Sequence, residues 1–382
     1  MTRKICIVIA SRANYSRVKY LMKAISEKTT LELQIVVGAS ALLYKYGNVS
    51  KVMREDGFIP NCKIHYLVEG ENLSTQAKST GLGIIELATA FQSLEPDVVI
   101  SVADRYETIA TAISSSLLNI PLAHIQGGEV SGNIDDSVRN AVTKLAHLHY
   151  PSTTKSAERI KRMGEEPWRV FCSGCPSIDI LTNTNLALPN ADFFADKGTG
   201  VPFNPMLPYI LILQHPVTSS VGSGADQIRQ TLLACKKIKM NKLMLWPNPD
   251  AGSDDVSKTM REFHNENPNL PFSYHINFTP EIFASLLANA HCLVGNSSSF
   301  IREGSFLGTP AVIVGDRQKD RERGKNVIFS DYNKSEIYQK VLLQLKHGKY
   351  KSESIFGHGN AGRLIASHLE KADLKIIKEA TY

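Results

Sequence analysis

The stretch PLAHIQGGEVSGNIDDSVR, residues 121–139, carries the most informative pattern in this chain of 382 residues. It begins as a short apolar run typical of a strand. A glycine pair that lets backbone amides approach a ligand comes next, and a helix is predicted to begin near Asp135. A second apolar run, DVVISV at 97–102, leads to Asp104. Because parallel sheets bind ligands at the carboxyl ends of their strands, these two strand ends predict one site that carries acidic residues.

The composition is that of a soluble globular protein with two domains, because 382 residues exceed one ordinary core. Lysines and arginines are scattered despite a net charge of +6, which favours a local phosphate pocket over a nucleic-acid partner. The first apolar run, residues 5–10, is too short for a signal peptide or a membrane span. We therefore expect a cytoplasmic protein with no membrane partner.

Short apolar runs alternate with helical patterns along the first half. Strands are predicted at residues 5–10, 33–38, 98–102, 122–126 and 170–173. Apolar residues at helical spacing predict helices at 15–27, 106–118 and 137–148. This alternation predicts right-handed βαβ units and a parallel sheet.

A second series of the same kind follows a stretch rich in Gly and Pro at residues 198–208. Its predicted strands are 209–214, 242–246, 272–275, 292–295 and 311–315, with helices at 227–238, 280–290 and about 362–371. We therefore predict an α/β protein with two Rossmann-like doubly wound domains and a ligand in the central cleft between them.

The predicted domain boundaries follow these two series. The N-terminal domain covers 1–180 and carries the acidic residues, and the second domain covers 181–365. Residues 366–382 form a C-terminal helix and tail. The sequence leaves open which of the two domains this tail packs against.

The loop after the first strand, SRANYS at 11–16, lacks the G-x-G-x-x-G fingerprint, so no nicotinamide cofactor is predicted. Arg12 and Ser16 stand at a strand end ahead of a helix, a placement that suits an anion and is equally open to a surface role. Asp104 is a candidate both for the cap of the following helix and for a base, and the same two roles, which do not exclude each other, apply to Asp135.

Polar residues also follow the predicted strands of the second half. His215 suits phosphate at its strand end, although a lone histidine is often structural. The stretch GNSSSFIREG at 295–304 opens a helix with glycine and serines, whose amides suit a pyrophosphate unless a serine is only a cap. Within it, Glu303 could accept hydrogen bonds from ribose hydroxyls, and Arg317 would add a cation.

Cys172 and Cys175, in CSGCP, have the spacing of a redox motif. No helix is evident directly after them, so we do not favour thiol chemistry. A structural zinc site would need a second cysteine pair at similar spacing, which the sequence lacks, so no metal site is predicted.

Seven motifs occur in one order between about residues 4 and 365: SRANYS, DR, GGEVSGNIDD, GCPS, QHPVT, PNPDAGS and GNSS. This order resembles the hydrolysing UDP-N-acetylglucosamine 2-epimerases of bacterial sialic acid biosynthesis. The resemblance implies a glycosyltransferase-B-like architecture with UDP in the cleft. It also implies a homo-oligomer, either a dimer or a tetramer, that needs no cofactor.

The resemblance implies a reaction in which UDP leaves C1 as the C2 proton is removed. Water then adds to the 2-acetamidoglucal to give N-acetylmannosamine. Asp104 and Asp135 match the acid/base carboxylates, and Arg105 lies beside the first. The implied UDP-binding residues are Arg12, Ser16, His215, Asn248, Gly295, Asn296, Ser297, Ser298, Glu303 and Arg317.

One departure concerns the base. Where the family commonly has HIEGGE, with its first glutamate counted as catalytic, this chain has HIQGGE, with Gln126. Glutamine cannot be a general base. Either Asp104 and Asp135 suffice, or Glu129 substitutes, or Gln126 orients a different sugar.

We expect conversion of UDP-N-acetylglucosamine and water to N-acetylmannosamine and UDP, the first step of sialic acid biosynthesis. The same reaction on UDP-N,N'-diacetylbacillosamine, for legionaminic acid, is the main alternative. A glycosyltransferase would share the two-domain architecture, and a nucleotide sensor would bind UDP without exchanging the C2 hydrogen. The GCPS and GEVSG motifs favour the hydrolysing over the nonhydrolysing epimerases.

Overall fold

A computed structural model describes residues 2–70, 72–132, 134–217, 222–248 and 250–381. Three residues of the motifs above, Asn133, Thr218 and Pro249, lie outside the described residues. The chain divides into two compact units. Unit 1 comprises Met1–Val130, Ile134–Asn183 and Phe356–Tyr382, and unit 2 comprises Ser131–Asn133 and Thr184–Ile355.

Unit 1 is built on a six-stranded parallel sheet of the order β3-β2-β1-β4-β5-β6. Its strands are β1 (Arg3–Ile9), β2 (Leu31–Gly38), β3 (Cys62–Ile64), β4 (Val98–Val102), β5 (Leu122–Ile125) and β6 (Leu148–Tyr150). All residues of β4 and β5 are buried, as expected for a parallel sheet covered on both faces. Val102 is level with Ile125, so β4 and β5 end side by side.

The helices of unit 1 follow its strands. They are α1 (Arg12–Ser26), α2 (Val49–Glu55), α3 (Leu73–Leu94), α4 (Tyr106–Leu117), α5 (Asp135–Leu145), α6 (Thr154–Arg162), α7 (Pro176–Asn183) and the last helix, α14 (Ala361–Leu369). Short 3-10 segments occur at Ala39–Leu42, Tyr44–Tyr46 and Pro167–Arg169. Among the described residues, no helix is both long and apolar enough to cross a membrane.

Unit 2 repeats the strand order and adds one antiparallel edge strand, giving β13-β12-β11-β8-β9-β10-β7. Its strands are β7 (Gly198–Gly200), β8 (Tyr209–Leu213), β9 (Asn241–Leu245), β10 (Phe272–His275), β11 (Cys292–Gly295), β12 (Ala311–Val314) and β13 (Val327–Ser330). Its helices are α8 (Ala191–Ala195), α9 (Gly224–Lys236), α10 (Ser253–Glu266), α11 (Pro280–Asn289), α12 (Ser298–Leu307) and α13 (Lys334–His347). The prediction of two Rossmann-like sheets is confirmed.

The sixth strand of unit 1 differs from the prediction. A strand at 170–173 was wrong, because that segment makes only an isolated bridge after a 3-10 turn. The sheet instead uses Leu148–Tyr150, whose start falls in the helix predicted for 137–148. Helix α5 ends because Ala146 turns to an extended conformation with ψ 150, after which the His147 amide donates to the sheet. The prediction also omitted three short strands: β3 and β7, which have no clear sequence pattern, and β13, although residues 327–329 are a short apolar run.

The chain returns to unit 1 earlier than the predicted boundary at 365. The whole segment Phe356–Tyr382 belongs to unit 1. Its start is held because the buried Asp179 carboxylate accepts hydrogen bonds from the first two amides of α14, at 2.9 and 2.7 Å. Apolar residues of α14 then join the core of unit 1. The packing of this helix, which the sequence left open, is therefore with unit 1.

Glu165 fastens the C-terminal segment to the rest of unit 1. Its carboxylate accepts hydrogen bonds from Lys144 Nζ at 2.7 Å and Lys378 Nζ at 2.9 Å, and it lies 3.2 Å from His149 Nε2. Burial raises the pKa of Glu165, but these hydrogen bonds outweigh it and hold the pKa at about 2. The carboxylate is therefore ionised in the folded protein at neutral pH.

We predict that Glu165→Gln lowers the free energy of unfolding by about 3 kcal/mol at pH 7. Because the folded pKa lies below the unfolded value of 4.5, this contribution is full above pH 4.5 and disappears as the pH falls toward 2. Denaturant titrations at several pH values measure the difference. Glu158→Gln, at an exposed position of α6, is the control and should be neutral. A difference that persists at pH 2 would contradict the prediction.

Candidate functional site

The carboxyl ends of β4 and β5 hold a buried arginine that the sequence analysis missed. Arg139, on α5, is 0% exposed and forms ion pairs with both Asp104 and Asp136. Its guanidinium also donates to the backbone carbonyl of Glu129 at 2.7 Å. We call Asp104, Asp136, Arg139 and the Glu129 carbonyl the Arg139 cluster. In the structure Arg139 lies three residues after Asp136, on the face of α5 that also buries Val142 and Thr143.

The electrostatics of the cluster favour ionised carboxylates. Burial lowers the pKa of Arg139, but Asp104 and Asp136 outweigh this effect and raise it, so the guanidinium stays charged. A charged guanidinium in turn favours the ionised form of both aspartates. Asp104 is therefore held in the form that can accept a proton.

Neither predicted acid caps its helix. Asp135 is the first residue of α5, whose cap position is Ile134, and Asp136 follows it. Carboxylates in a first helical turn face the positive end of the helix dipole. At α4 the cap position is Arg105 and not Asp104. The capping interpretation of Asp104 and Asp135 was therefore wrong.

The Arg105 side chain forms an ion pair with a residue in the first turn of α4. Its guanidinium makes two hydrogen bonds to the Glu107 carboxylate, at 2.9 and 3.1 Å. Glu107 is 1% exposed, so this is a buried, bidentate ion pair. It holds the first turn of α4 directly after Asp104.

The backbone is strained where β4 and β5 end. Ala103 has φ 68 and Gln126 has φ 67, the left-handed region that costs a residue with a side chain about 1–2 kcal/mol. Such strain concentrates at functional sites. Gly128, with φ 72, could not carry a side chain, since an added Cβ would lie 2.2 Å from the Ser156 carbonyl oxygen. This glycine thus allows close packing against α6, whereas the sequence analysis predicted an approach to a ligand.

The Gln126 side chain is held inside unit 1. It is 1% exposed, and its Nε2 donates to Cys175 Sγ at 2.9 Å. The sulfur lies 2.9 Å from the Ser177 hydroxyl. Gln126 Oε1 accepts no hydrogen bond from any residue that the structure describes. Because α7 begins directly after Cys175, the expectation of no helix behind CSGCP was wrong.

The residues predicted at the end of β1 form the start of α1. Arg12 is the first residue of the helix, and the Ser16 hydroxyl donates to the Ala13 carbonyl at 3.1 Å. Asn14, which the sequence analysis passed over, donates through its side chain to the Val102 carbonyl at 3.2 Å. This bond joins the start of α1 to the end of β4.

In unit 2, His215, Asn248 and Asn296 meet at the ends of β8, β9 and β11. The Asn296 side chain accepts from the His215 amide at 2.7 Å and donates to the His215 carbonyl at 2.8 Å. The backbone amide of Asn248 donates to His215 Nδ1 at 3.2 Å. Because Nδ1 accepts, the proton of a neutral ring lies on Nε2, which makes Nε2 a donor suited to a phosphate oxygen.

The start of α12 has the geometry of a tight strand-to-helix turn. Gly295 has φ 137, and an added Cβ would lie 2.1 Å from the Leu213 carbonyl oxygen, so glycine is required. The Ser297 hydroxyl caps the helix by accepting from the Ser299 amide at 3.4 Å. Ser298 Oγ accepts from Arg302 at 3.0 Å, and Glu303 lies in the second turn.

The segment after β12 is tied to the same edge of the sheet. Arg317 lies 3.8 Å from the carboxylate of Asp250, a buried residue two positions after Asn248. Gln318 donates through its side chain to the Asn296 carbonyl at 3.3 Å. Of these, the sequence analysis identified Arg317, quoted Asp250 only as part of the PNPDAGS motif without assigning it a role, and missed Gln318.

Comparison with known proteins identifies the family. Residues 23–370 match the family model described as UDP-N-acetylglucosamine 2-epimerase. A UDP-N,N'-diacetylbacillosamine 2-epimerase (hydrolyzing) from Legionella pneumophila is 32% identical over 359 residues, 94% of this chain and 93% of the relative. A UDP-N-acetylglucosamine 2-epimerase from Neisseria meningitidis is 28% identical over 364 residues, 94% of this chain and 92% of the relative.

A solved structure of UDP-GlcNAc 2-epimerase from Neisseria meningitidis, bound to UDP-GlcNAc, has the same fold. Its TM-score is 0.78 at 16% identity, over 97% of this chain and 100% of that chain. This likeness confirms the predicted glycosyltransferase-B-like class of two Rossmann-like domains. The chain belongs to the UDP-N-acetylglucosamine 2-epimerase family.

Proposed function

We propose that this enzyme is a hydrolysing 2-epimerase that converts UDP-N-acetylglucosamine and water to N-acetylmannosamine and UDP, the first step of sialic acid biosynthesis. The observation that carries the proposal is the Arg139 cluster, which holds an ionised Asp104 at the strand ends where such sheets bind ligands. Asp135 begins the helix that carries Arg139. The name of the relative from Neisseria meningitidis supports the choice of sugar.

In the proposed reaction, one carboxylate accepts the C2 proton as the C1–O bond to UDP breaks, which gives 2-acetamidoglucal and UDP. Water then adds its hydroxyl to C1 while a second, protonated group gives its proton to the opposite face of C2, and the remaining proton of the water restores that group. We assign these two proton transfers to Asp104 and Asp135, with Glu129 as the other candidate. Positioning supplies much of the rate, because a C–H proton is weakly acidic.

We propose that unit 2 holds the UDP. His215 Nε2 and the amides at the start of α12 would donate to the diphosphate. Arg317 would balance the charge that develops on the leaving group, and Glu303 would accept from ribose hydroxyls. For unit 1, we propose Arg12 and Ser16 as candidate anion contacts.

We predict that Asn296→Asp raises the Kd for UDP by about 10–100-fold, because an oxygen would replace the amide that donates to the His215 carbonyl. Calorimetric titration of UDP measures this effect, with circular dichroism to verify that the variant is folded. Asn289→Asp, at an exposed position of α11, is the matched control and should bind UDP normally. Equal affinities in the two variants would exclude Asn296 from the UDP site.

Proton NMR in D2O with UDP-N-acetylglucosamine and no acceptor tests the reaction. The expected products are UDP and N-acetylmannosamine deuterated at C2. Release of UDP with an unchanged C2 would indicate a hydrolase or transferase. Formation of UDP-N-acetylmannosamine would indicate a nonhydrolysing epimerase, and UDP binding with no exchange would indicate a sensor.

A second candidate is the same reaction on UDP-N,N'-diacetylbacillosamine. Two observations favour it: the amide of Gln126 cannot act as a base, and the relative from Legionella pneumophila carries this sugar in its name. Parallel assays of the two sugars separate the candidates. Turnover of the diacetamido sugar alone would assign the enzyme to that substrate.

We predict that Gln126→Glu folds and raises kcat/KM on UDP-N-acetylglucosamine by at least about tenfold, because a carboxylate adds a base at the strand end. The Cys175 thiol, now an acceptor from Gln126, can donate to that carboxylate. The ratio of kcat/KM for the two sugars is the measurement. Complete loss of activity would show that the amide itself is required.

We also propose that the protein is a dimer or tetramer that works without a nicotinamide or a metal. Light scattering of the purified protein measures the assembly. Turnover that persists in EDTA, with no cofactor added, tests the second part, and inactivation by EDTA would contradict it.

A further inference from the structure

His124 makes two buried hydrogen bonds from the centre of unit 1. It lies on β5, is 0% exposed, and its Nε2 is 2.9 Å from the Ala103 carbonyl oxygen. On the other side of the ring, Nδ1 is 3.2 Å from the Thr143 hydroxyl on α5. His124 therefore contacts two elements of the site, the end of β4 and the helix that carries Arg139.

The partners of the ring determine its tautomer. A carbonyl oxygen can only accept, so Nε2 carries the proton and donates to Ala103. Nδ1 then accepts from the Thr143 hydroxyl. Burial lowers the pKa of His124 to about 4, more than its bond to Ala103 raises it, so the ring is a neutral donor at pH 7.

The acceptor of this bond belongs to a strained peptide. Ala103 has φ 68, a conformation that an L side chain disfavours, and its carbonyl is part of the peptide bond to Asp104. The Ala103 amide donates to the Ile125 carbonyl at 3.0 Å. With His124 on the carbonyl, both polar groups of Ala103 are bonded to β5. The orientation of the following Cα, from which the Asp104 side chain extends, is thereby held.

We propose that His124 is a positioning residue: its Nε2 hydrogen bond to the Ala103 carbonyl holds the strained Ala103–Asp104 peptide and so keeps the Asp104 carboxylate against Arg139. The inference rests on the proposed function, in which Asp104 transfers a proton. It assigns His124 no contact with substrate. A histidine that only filled the core would give the same burial, but its removal would not act on kcat in particular.

Two polar variants of similar size separate the hydrogen bond from packing. The amide of a glutamine reaches about as far as Nε2, whereas that of an asparagine reaches only the Nδ1 position. We expect His124→Asn to lower kcat by about 100-fold with KM changed less than about threefold, because misplacement of a reacting group by ~1 Å costs that much. We expect His124→Gln to keep kcat within about tenfold of the unmodified enzyme. The assay uses whichever of the two UDP-sugars the unmodified enzyme turns over.

The control is His147, a buried histidine just before β6. Its Nδ1 accepts from the Leu122 amide at 3.1 Å. Leu122 is at the amino end of β5, whereas Asp104 follows the carboxyl end of the neighbouring strand β4. His147→Phe loses a comparable bond and should keep kcat within about threefold. The proposal is overturned if His124→Asn and His124→Gln have the same kcat, or if His147→Phe loses as much as His124→Asn.

A second measurement does not depend on turnover. Nitrogen-15 NMR of protein labelled at histidine, with the His124 signals assigned by their absence in His124→Gln, reports which ring nitrogen carries the proton. We expect the Nε2–H tautomer at pH 7. An Nδ1–H or doubly protonated ring would overturn the proposal. If the enzyme turned over neither sugar, the proposed function would fail while this test of the His124 contact would still stand.

Discussion

Asp104→Asn should lower kcat by about 10³-fold, because asparagine has the shape of aspartate but cannot accept a proton. Its Oδ1 can still accept a hydrogen bond from Arg139, so the site should keep its geometry. The Kd for UDP should change by less than about threefold, because the variant removes none of the proposed UDP contacts. Single-turnover NMR measures the rate, and calorimetric titration of UDP measures the affinity.

The control for this variant lies at the opposite end of the same strand. Asp97 is exposed just before β4, where its carboxylate accepts from the Lys4 amide at 2.7 Å. Asp97→Asn makes the same chemical change and should leave kcat unaltered. If Asp104→Asn retained kcat within tenfold of the unmodified enzyme, as Asp97→Asn should, Asp104 would have no part in proton transfer.

Arg139→Met should strongly destabilise the folded protein. Its removal leaves the carboxylates of Asp104 and Asp136 close together without a counter-charge, which costs about 3 kcal/mol of unfolding free energy. The side chains of these aspartates are 14% and 22% exposed, so water compensates only part of the loss. Denaturant unfolding at pH 7 is the measurement. Activity should fall as well, because Asp104 loses the partner that orients it.

A double-mutant cycle tests whether charge is the cause. Adding Asp136→Asn to Arg139→Met removes one of the two uncompensated charges, so the double variant should be at least about 1 kcal/mol more stable than additivity predicts. Lys51→Met, which breaks an exposed pair with Glu55 at 3.8 Å, should cost less than about 1 kcal/mol. Additive effects in the cycle would show that Arg139 contributes through packing alone.

Much of the fold could be predicted because its signals are local. Strands such as Val98–Val102 and Cys292–Gly295 are short apolar runs bounded by polar residues or turns, and the prediction has their bounds. The strand at Leu148–Tyr150 was missed because two histidines flank or interrupt its apolar residues. The sequence pattern cannot show that His149 is buried and that it pairs with Glu165.

The candidate site could likewise be predicted only in part. Asp104, Asp135, His215 and Asn296 could be singled out because each follows a predicted strand or opens a helix. The structure then showed which of them meet: Asn296 with His215 in unit 2, and Asp104 with Arg139 in unit 1. Arg139 could not be selected beforehand, since an arginine inside an amphipathic helix more often lies on the solvated face.

The sequence by itself determined the two doubly wound sheets and the polar residues at their strand ends, because apolar runs, turns and helix starts are properties of neighbouring residues. Only the tertiary structure decided the partners of those residues. Arg139 meets Asp104 across 35 positions, and Asp179 meets the start of α14 across 182. Contacts over such distances depend on how the helices pack on the sheet. The same packing places the hydrogen-bond partners that set the tautomer of His124 and the ion pair that orients Asp104.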